Sequence, residues 1–292
     1  KTPFCAWLVG FLQSDGWQPA ILSRGYGLDA ESGLDDENRL LSSRAPGVPI
    51  VVNPDRVEGA ATARAHASAG VAVLDDGLQH RRLVRDLDIV LVDALLPFGG
   101  GYMLPRGLLR EPLSGLARAD VIVLSRSDLV CSKRLNEIRD RLSELAPNTP
   151  VVYGAHRPVG LARLLPGDGR EEEMLDRLQR ATWGAFCGIG NPRGFRRTLD
   201  EVGAEVNLFR PFPDHHRYVA DTLRDLMREA MEQGCEALLT TEKDAGKVSP
   251  LLQSLPQIPV YVLRVEMDVT ENRGKLVEAV RECLDDGPSG GY

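Results

Sequence analysis

The chain has no excess of basic charge, no paired cysteine pattern, no long apolar run and no internal repeat, and each absence removes a class of function. With 35 Lys and Arg against 42 Asp and Glu the formal net charge is −7, which argues against a general nucleic-acid binder while leaving room for a local basic patch. The five cysteines, Cys5, Cys131, Cys187, Cys235 and Cys283, are odd in number and share no C-x-x-C spacing. They fit reduced packing thiols of a cytosolic compartment better than a disulfide framework or a zinc site. No stretch approaches the roughly 18 apolar residues of a membrane span, and no signal peptide or low-complexity tract is visible. The chain also lacks an initial methionine, beginning Lys1-Thr2-Pro3, so it is expected to have lost its start.

What is present is enough for two cores: 292 residues with 43% apolar content suggest two domains. The chain is organised around Val71-Ala72-Val73-Leu74-Asp75-Asp76-Gly77-Leu78-Gln79-His80, an apolar run that reads as a buried strand of a parallel sheet. Ligands of open α/β sheets bind outside the carboxyl ends of the strands, where Asp75 and Asp76 would stand. Adjacent carboxylates repel unless a cation or proton intervenes, and magnesium carried by a nucleotide phosphate is one common solution. Lys1-Thr2 at the entrance of a helix matches the end of a phosphate-binding loop, with lysine reaching the β and γ phosphates and the threonine hydroxyl reaching magnesium. Such sites hold the metal between a threonine and a strand-end aspartate, here about 70 residues apart.

In order, the first half alternates strand and helix: a helix over Phe4 to Leu12, a strand Pro19 to Ser23 ending in Arg24-Gly25-Tyr26-Gly27, and a helix opened by Asp35-Asp36-Glu37. Those acids are explained at least as well by the helix dipole as by function. A strand Val48 to Val52 runs into Asn53-Pro54-Asp55-Arg56, then an alanine-rich helix leads to the central strand. Beyond it come a strand ending in Asp93, a Gly/Pro-rich loop Pro97 to Pro112 long enough to be functional, a strand Val121 to Leu124 and a helix Lys133 to Leu145. This alternation predicts a P-loop NTPase-type parallel sheet with helices on both faces. From Thr149 to Arg170 the pattern loosens, and the domain boundary is placed there: residues 1–155 form the first domain and 156–292 a second, smaller α/β domain. In the latter, Gly188-Ile189-Gly190-Asn191-Pro192 reads as a turn. Phe212-Pro213-Asp214-His215-His216 presents an acid and two imidazoles; a metal site lacks a third ligand at suitable spacing, so an acid-base role or a helix capped by Asp214 remains.

Seven motifs in order resemble those of tetraacyldisaccharide 4′-kinase, the lipid A 4′-kinase of Gram-negative-type bacteria: Ser23 to Gly27, Asp36-Glu37, Pro54-Asp55-Arg56, Asp75 to His80, Leu104 to Pro112, Phe212 to His215, and Thr241-Glu242-Lys243-Asp244. The match runs from Lys1 to about Asp268, and its joint specificity far exceeds that of any one motif. The resemblance implies an ATP- and magnesium-dependent transferase that phosphorylates the 4′-hydroxyl of a tetraacylated glucosamine disaccharide in lipid A biosynthesis. Such a kinase works peripherally at the cytoplasmic face of the bacterial inner membrane, without nucleic acid or an obligate protein partner, its smaller domain closing over the site.

By the same resemblance Lys1 and Thr2 bind phosphate, Thr2, Asp75 and Asp76 surround magnesium, and Asp36 is the catalytic aspartate partnered by His215. Arg110 and Glu111 fall on nucleotide contacts, and Arg24, Tyr26, Arg56 and His80 on substrate contacts. The chain departs from the family in lacking the glycine-rich part of the phosphate loop and the N-terminal membrane-associating helix, and in having Leu78 where phenylalanine is frequent. Apolar and basic groups for a bilayer are expected near the Arg24 to Tyr26 turn. A P-loop GTPase or metal chaperone would share the phosphate site, but should show Asn-Lys-x-Asp where this chain has Ser125-Arg126-Ser127-Asp128. A non-catalytic nucleotide-binding protein is disfavoured because every other candidate catalytic position keeps a usable side chain.

Overall fold

The computed structural model describes residues 1–25, 35–67, 69–167, 169–255 and 258–285. Helix α1 (Thr2–Ser14) carries Pro3 in its first turn, where a missing N–H costs nothing. It is buried on two sides. Phe4 and Leu12 pack with Val121, Val123, Met267 and Leu276, while Cys5 and Val9 pack with Ile21, Leu41 and Val48. α1 is thus the wedge between two sheets.

The first sheet holds β1 (Pro19–Ser23), β2 (Ile50–Val52) and β3 (Val71–Leu74) in the order β2-β1-β3, all parallel, with Ile21 opposite both Ile50 and Val73. Parallel pairing needs crossover helices, and α2 (Asp36–Arg44) and α3 (Arg56–Ala67) follow β1 and β2. Asp35 caps α2, its carboxylate accepting from Asn38 N–H at 2.8 Å. Asp36 is therefore a first-turn residue whose side chain is not needed for the cap.

The second sheet has eight strands. β4 (Ile89–Asp93), β5 (Val121–Ser125) and the start of β6 (Val151–Leu164) run parallel, with α4 (Ser132–Leu145) between β5 and β6. β7 (Arg170–Glu173) pairs with the far end of β6. Then come β8 (Thr182–Cys187), α5 (Pro192–Glu201), β9 (Glu205–Pro211), α6 (Ala220–Glu232), β10 (Ala237–Thr241), α7 (Glu242–Val248), β11 (Val260–Glu271) and α8 (Arg273–Asp285). The order is β4-β5-β6-β11-β10-β8-β9, parallel except where β11 runs antiparallel to β6. The α/β architecture with parallel-rich sheets is the expected one.

The stretch from Thr149 to Arg170 is not the loose linker its composition suggests. It is mostly β6, a 14-residue strand. Val151 to Gly154 pair with β5, and residues further on pair with β11 and β7, so the expected boundary between residues 155 and 156 falls inside one strand. Gly154, Pro158 and Gly160 obscure its alternation. Pro158 is tolerated because the β6–β11 register shifts beside it, between Arg264 and Val265, and proline belongs in sheets at such bulges.

Candidate active site

Because β1 and β3 are parallel and in register, their carboxyl ends open on the same edge. Asp75 N–H donates to Leu22 C=O at 3.0 Å, which draws the chain after β3 against the end of β1. Arg56, buried at 4% exposure, donates to the carbonyls of Asn53 at 2.9 Å and Asp75 at 3.2 Å and so ties the ends of β2 and β3 together. Asp76 then adopts φ +61, a left-handed conformation that aspartate tolerates better than most residues. Gly77 follows where a Cβ would stand 2.8 Å from the Leu74 Cβ.

This turn brings both carboxylates onto one cation. Lys1 Nζ lies 3.5 Å from Asp75 Oδ2, 3.6 Å from Asp76 Oδ2 and 3.4 Å from Glu37 Oε2, and Arg110 donates to Asp76 at 2.8 Å. Burial pushes the Asp75 carboxyl above the usual range against the pull of Lys1. Burial acts the same way on Asp76 but is outweighed by Lys1 and Arg110, so that group is held below the usual range. Burial likewise opposes the Lys1 ammonium, yet Asp75, Glu37 and Asp76 together raise its pKa. The carboxylates are hard oxygen donors of the kind magnesium takes, and the Lys1 ammonium lies among them. Among the described residues no group of three His, Cys, Asp or Glu is placed to hold a metal by itself; magnesium usually takes only one or two carboxylates and completes its shell with phosphate and water.

The other side of the site is a seam between α2 and α7. The loop after β9 is held by Phe212 N–H to Cys187 C=O at 2.8 Å and His215 N–H to Gly188 C=O at 3.2 Å. Gly188 N–H in turn donates to the buried carboxylate of Asp244 at 2.9 Å. His215 has φ +58, which turns its ring toward α2, with Nδ1 3.6 Å from Asp36 Oδ2. The two imidazoles of the motif part company. His216 stacks on Phe212, ring centroids 4.5 Å apart, as a packing residue. Asp214 caps nothing, since α6 starts at Ala220; it accepts from Lys243 at 2.9 Å. Burial raises the Asp214 carboxyl, but Lys243 overrides it and holds the group low.

From α7, Lys243 also approaches Glu37 at 3.7 Å and His215 Nε2 at 3.4 Å, Lys247 meets Asp36 Oδ2 at 2.5 Å, and Glu242 forms an ion pair with Arg44. A site that joins an anion-holding cradle to a carboxylate–imidazole pair has the parts for phosphoryl transfer to a hydroxyl.

Comparison with known proteins agrees. The family model described as tetraacyldisaccharide-1-P 4′-kinase matches residues 1–285. The chain belongs to the tetraacyldisaccharide 4′-kinase family. The tetraacyldisaccharide 4′-kinase of Anaeromyxobacter dehalogenans (strain 2CP-C) is 40% identical over 96% of this chain and 77% of the relative, and that of Syntrophus aciditrophicus 36% identical over 98% and 81%. A crystal structure of LpxK from Aquifex aeolicus, described as an "apo" form in complex with ATP, superposes with a TM-score of 0.66 at 29% identity, covering 97% of this chain and 84% of that one.

Of the residues the family resemblance points to, the fold gathers Lys1, Asp75, Asp76 and Arg110 at one end and Asp36 with His215 at the other, with Thr2 opening α1 directly after Lys1. Arg24 is exposed directly after β1, and Tyr26 lies outside the described residues. Glu111 accepts from Arg118 at 2.9 Å through both oxygens. His80 sits beyond the Gly77 turn, its Nε2 buried and without a hydrogen-bond partner. Sequence reasoning assigned no role to Glu37, Lys243, Lys247 or the Arg44–Glu242 pair. The available signal was helical spacing: Lys243 and Lys247 are four apart and share a face of α7. Glu37, which Lys243 approaches, and Asp36, which Lys247 meets, lie in the other half of the chain, beyond the reach of any local pattern.

Proposed function

We propose that Asp36, partnered by His215, is the base in transfer of the γ-phosphate of ATP to the 4′-hydroxyl of a tetraacylated glucosamine disaccharide, the lipid A precursor. The observation that carries this is the approach of His215 Nδ1 to Asp36 Oδ2 at 3.6 Å across the seam, beside the Lys1 cradle. ATP as donor is supported by the Aquifex aeolicus relative, which was solved in complex with it. Lys1 and Arg110 are the cations for the nucleotide phosphates. Thr2, Asp75 and Asp76 would hold magnesium, which when bound neutralises phosphate charge. A sugar hydroxyl is a poor nucleophile, and Asp36 accepts its proton as the new O–P bond forms. At 3.6 Å the contact is long for a hydrogen bond, and such contacts tighten when substrate binds.

The two halves are joined through β6 and β11, whose far end packs with α1, and closure of the seam between α2 and α7 brings His215 to Asp36 around substrate. No helix among the described residues is long and apolar enough to cross a membrane. Bilayer contact is assigned instead to the loop after β4. Leu104 and Leu108 are 59% and 62% exposed there, near the exposed side chains of Leu96, Tyr102 and Met103, and Arg106 lies over the Tyr102 ring. Exposed apolar groups with basic neighbours mark membrane-contact surfaces, and this loop also delivers Arg110. Replacing Leu104 and Leu108 by serine should reduce co-sedimentation with anionic vesicles while ATP affinity is kept; unchanged vesicle binding would move the contact elsewhere.

A double-mutant cycle with lipid substrate tests the dyad. Asp36→Ala and His215→Ala should each lower kcat, and the double variant should cost little more than the worse single change. Fully additive losses would remove the dyad from the mechanism.

A further inference from the structure

We propose that Lys247 is a positioning residue for Asp36, fixing which carboxylate oxygen meets the acceptor hydroxyl; this rests on the reading of Asp36 as the base. Lys247 sits in the last turn of α7, a helix anchored by the fully buried Asp244 and Val248 and by Ala245 at 1% exposure. Its side chain is only 16% exposed, and its Nζ stands 2.5 Å from Asp36 Oδ2. Among the described residues Asp36 is the one acid in ion-pair contact with it. Its neighbour Lys243 is different, shared among Asp214, Glu37 and His215. A buried ammonium is costly unless paired, so Lys247 is committed to that carboxylate.

The geometry is asymmetric. His215 Nδ1 and Lys247 Nζ both address Oδ2, which leaves Oδ1 as the oxygen for substrate. Two physical consequences follow. Approached at one oxygen by two ion-pair partners from different elements, the carboxylate loses rotational freedom before substrate arrives, which is the preorganisation that proton transfer needs. A carboxylate must also approach an anionic phosphoryl group, and an ammonium on its far oxygen offsets that repulsion. Because the transition state is loose, the hydroxyl proton leaves late, so an ionised, aimed carboxylate serves better than a more basic, mobile one. In the step, Oδ1 takes the hydroxyl proton, the O–P bond forms, the bond to the leaving ADP oxygen breaks, and Lys247 keeps its protons throughout.

Steady-state kinetics of Lys247→Met, Lys247→Arg, Asp36→Asn and the double variant Lys247→Met/Asp36→Asn, with ATP and tetraacylated disaccharide in detergent micelles, test this. Lys247→Met should lower kcat about tenfold, in the range seen for coupled neighbours, with both KM values changing by less than about twofold. Lys247→Arg should recover most of the rate, and in the Asp36→Asn background Lys247→Met should cost almost nothing further. An equal loss in that background, a rise in KM at unchanged kcat, or no rescue by arginine would overturn the proposal. Should Asp36→Asn slow the reaction while Lys247→Met does not, the positioning role alone fails; a near-normal rate for Asp36→Asn removes the base itself. Where the methionine variant does not fold, Lys247→Gln takes its place under the same criteria.

Discussion

The two ends of this site are made in different ways. The Lys1–Asp75–Asp76 end is built from the start of α1 and neighbouring strand ends of one small parallel sheet, the latter fixed by backbone hydrogen bonds and by the buried Arg56 guanidinium. The Asp36–His215 end is assembled across a seam, where α2 and the loop before α6 meet through charged side chains and the helices are tied by Arg44–Glu242, Lys243–Glu37 and Lys247–Asp36. On the proposed roles, a cradle for polyphosphate must stand ready before the nucleotide arrives, and backbone-anchored turns provide that rigidity. The proposed base is useful only once both substrates are in place, and ion pairs between facing helices suit the proposed closure because they can separate and re-form. Asn191 adds a further link between the halves by donating to Asp93 at 2.6 Å, a carboxylate to which Arg126 of the first half also donates at 2.6 Å.

The largest expected effect separates the two ends by chemistry. Asp36→Asn should lower kcat by about 10² to 10⁴, the usual share of a general base, with nucleotide affinity retained. Asp76→Asn should instead raise the magnesium concentration needed for half-maximal rate. Steady-state kinetics across a magnesium titration check both, and if the two variants gave the same phenotype the division of labour would be wrong.

Next in size is the seam itself. Arg44 and Glu242 are about a tenth exposed or less, at 10% and 6%, and removing one partner of such a pair leaves the other charge buried. Glu242→Gln should therefore destabilise the fold by about 3 kcal/mol, whereas replacing both by apolar residues of similar volume should cost far less. Urea unfolding of the single and double variants measures the difference. A loss confined to the double variant would mean the pair adds nothing to the seam.

The smallest effect concerns acid. His156 on β6 is half-buried, and that burial, reinforced by the positive charges of Arg126 and Arg44, lowers its pKa from the ordinary 6.5 to about 3. Between those values the unfolded chain binds a proton that the folded chain refuses, so stability is complete above about pH 6.5 and falls as pH drops toward 3, by about 1.4 kcal/mol per unit. From pH 7 to pH 5 the protein should lose about 2 kcal/mol more than His156→Phe does. Parallel pH profiles for the two would show that His156 accepts its proton in the folded state.

Most helices and strands are legible locally. The apolar run Val71 to Leu74, the strand Thr182 to Cys187 and the helix that Asp35 caps follow from periodicity and capping alone, because these depend on neighbours a few residues away. β6 was hidden by Gly154, Pro158 and Gly160, which a strand accepts only when a partner supplies a bulge, and that partner is β11, far along the chain. The contrast holds at the site. Asp75-Asp76-Gly77 announces a strand-end acidic turn in its own residues, and the order of the motifs is enough to reveal the family. That His215 turns toward Asp36 while His216 stacks away, that Arg56 is a buried brace, and that Lys247 lies on the same carboxylate oxygen as His215 were decided by tertiary structure. Ion pairs between α2 and α7 join residues whose local sequences carry no record of each other; only the packing of the two halves brings those charges within range.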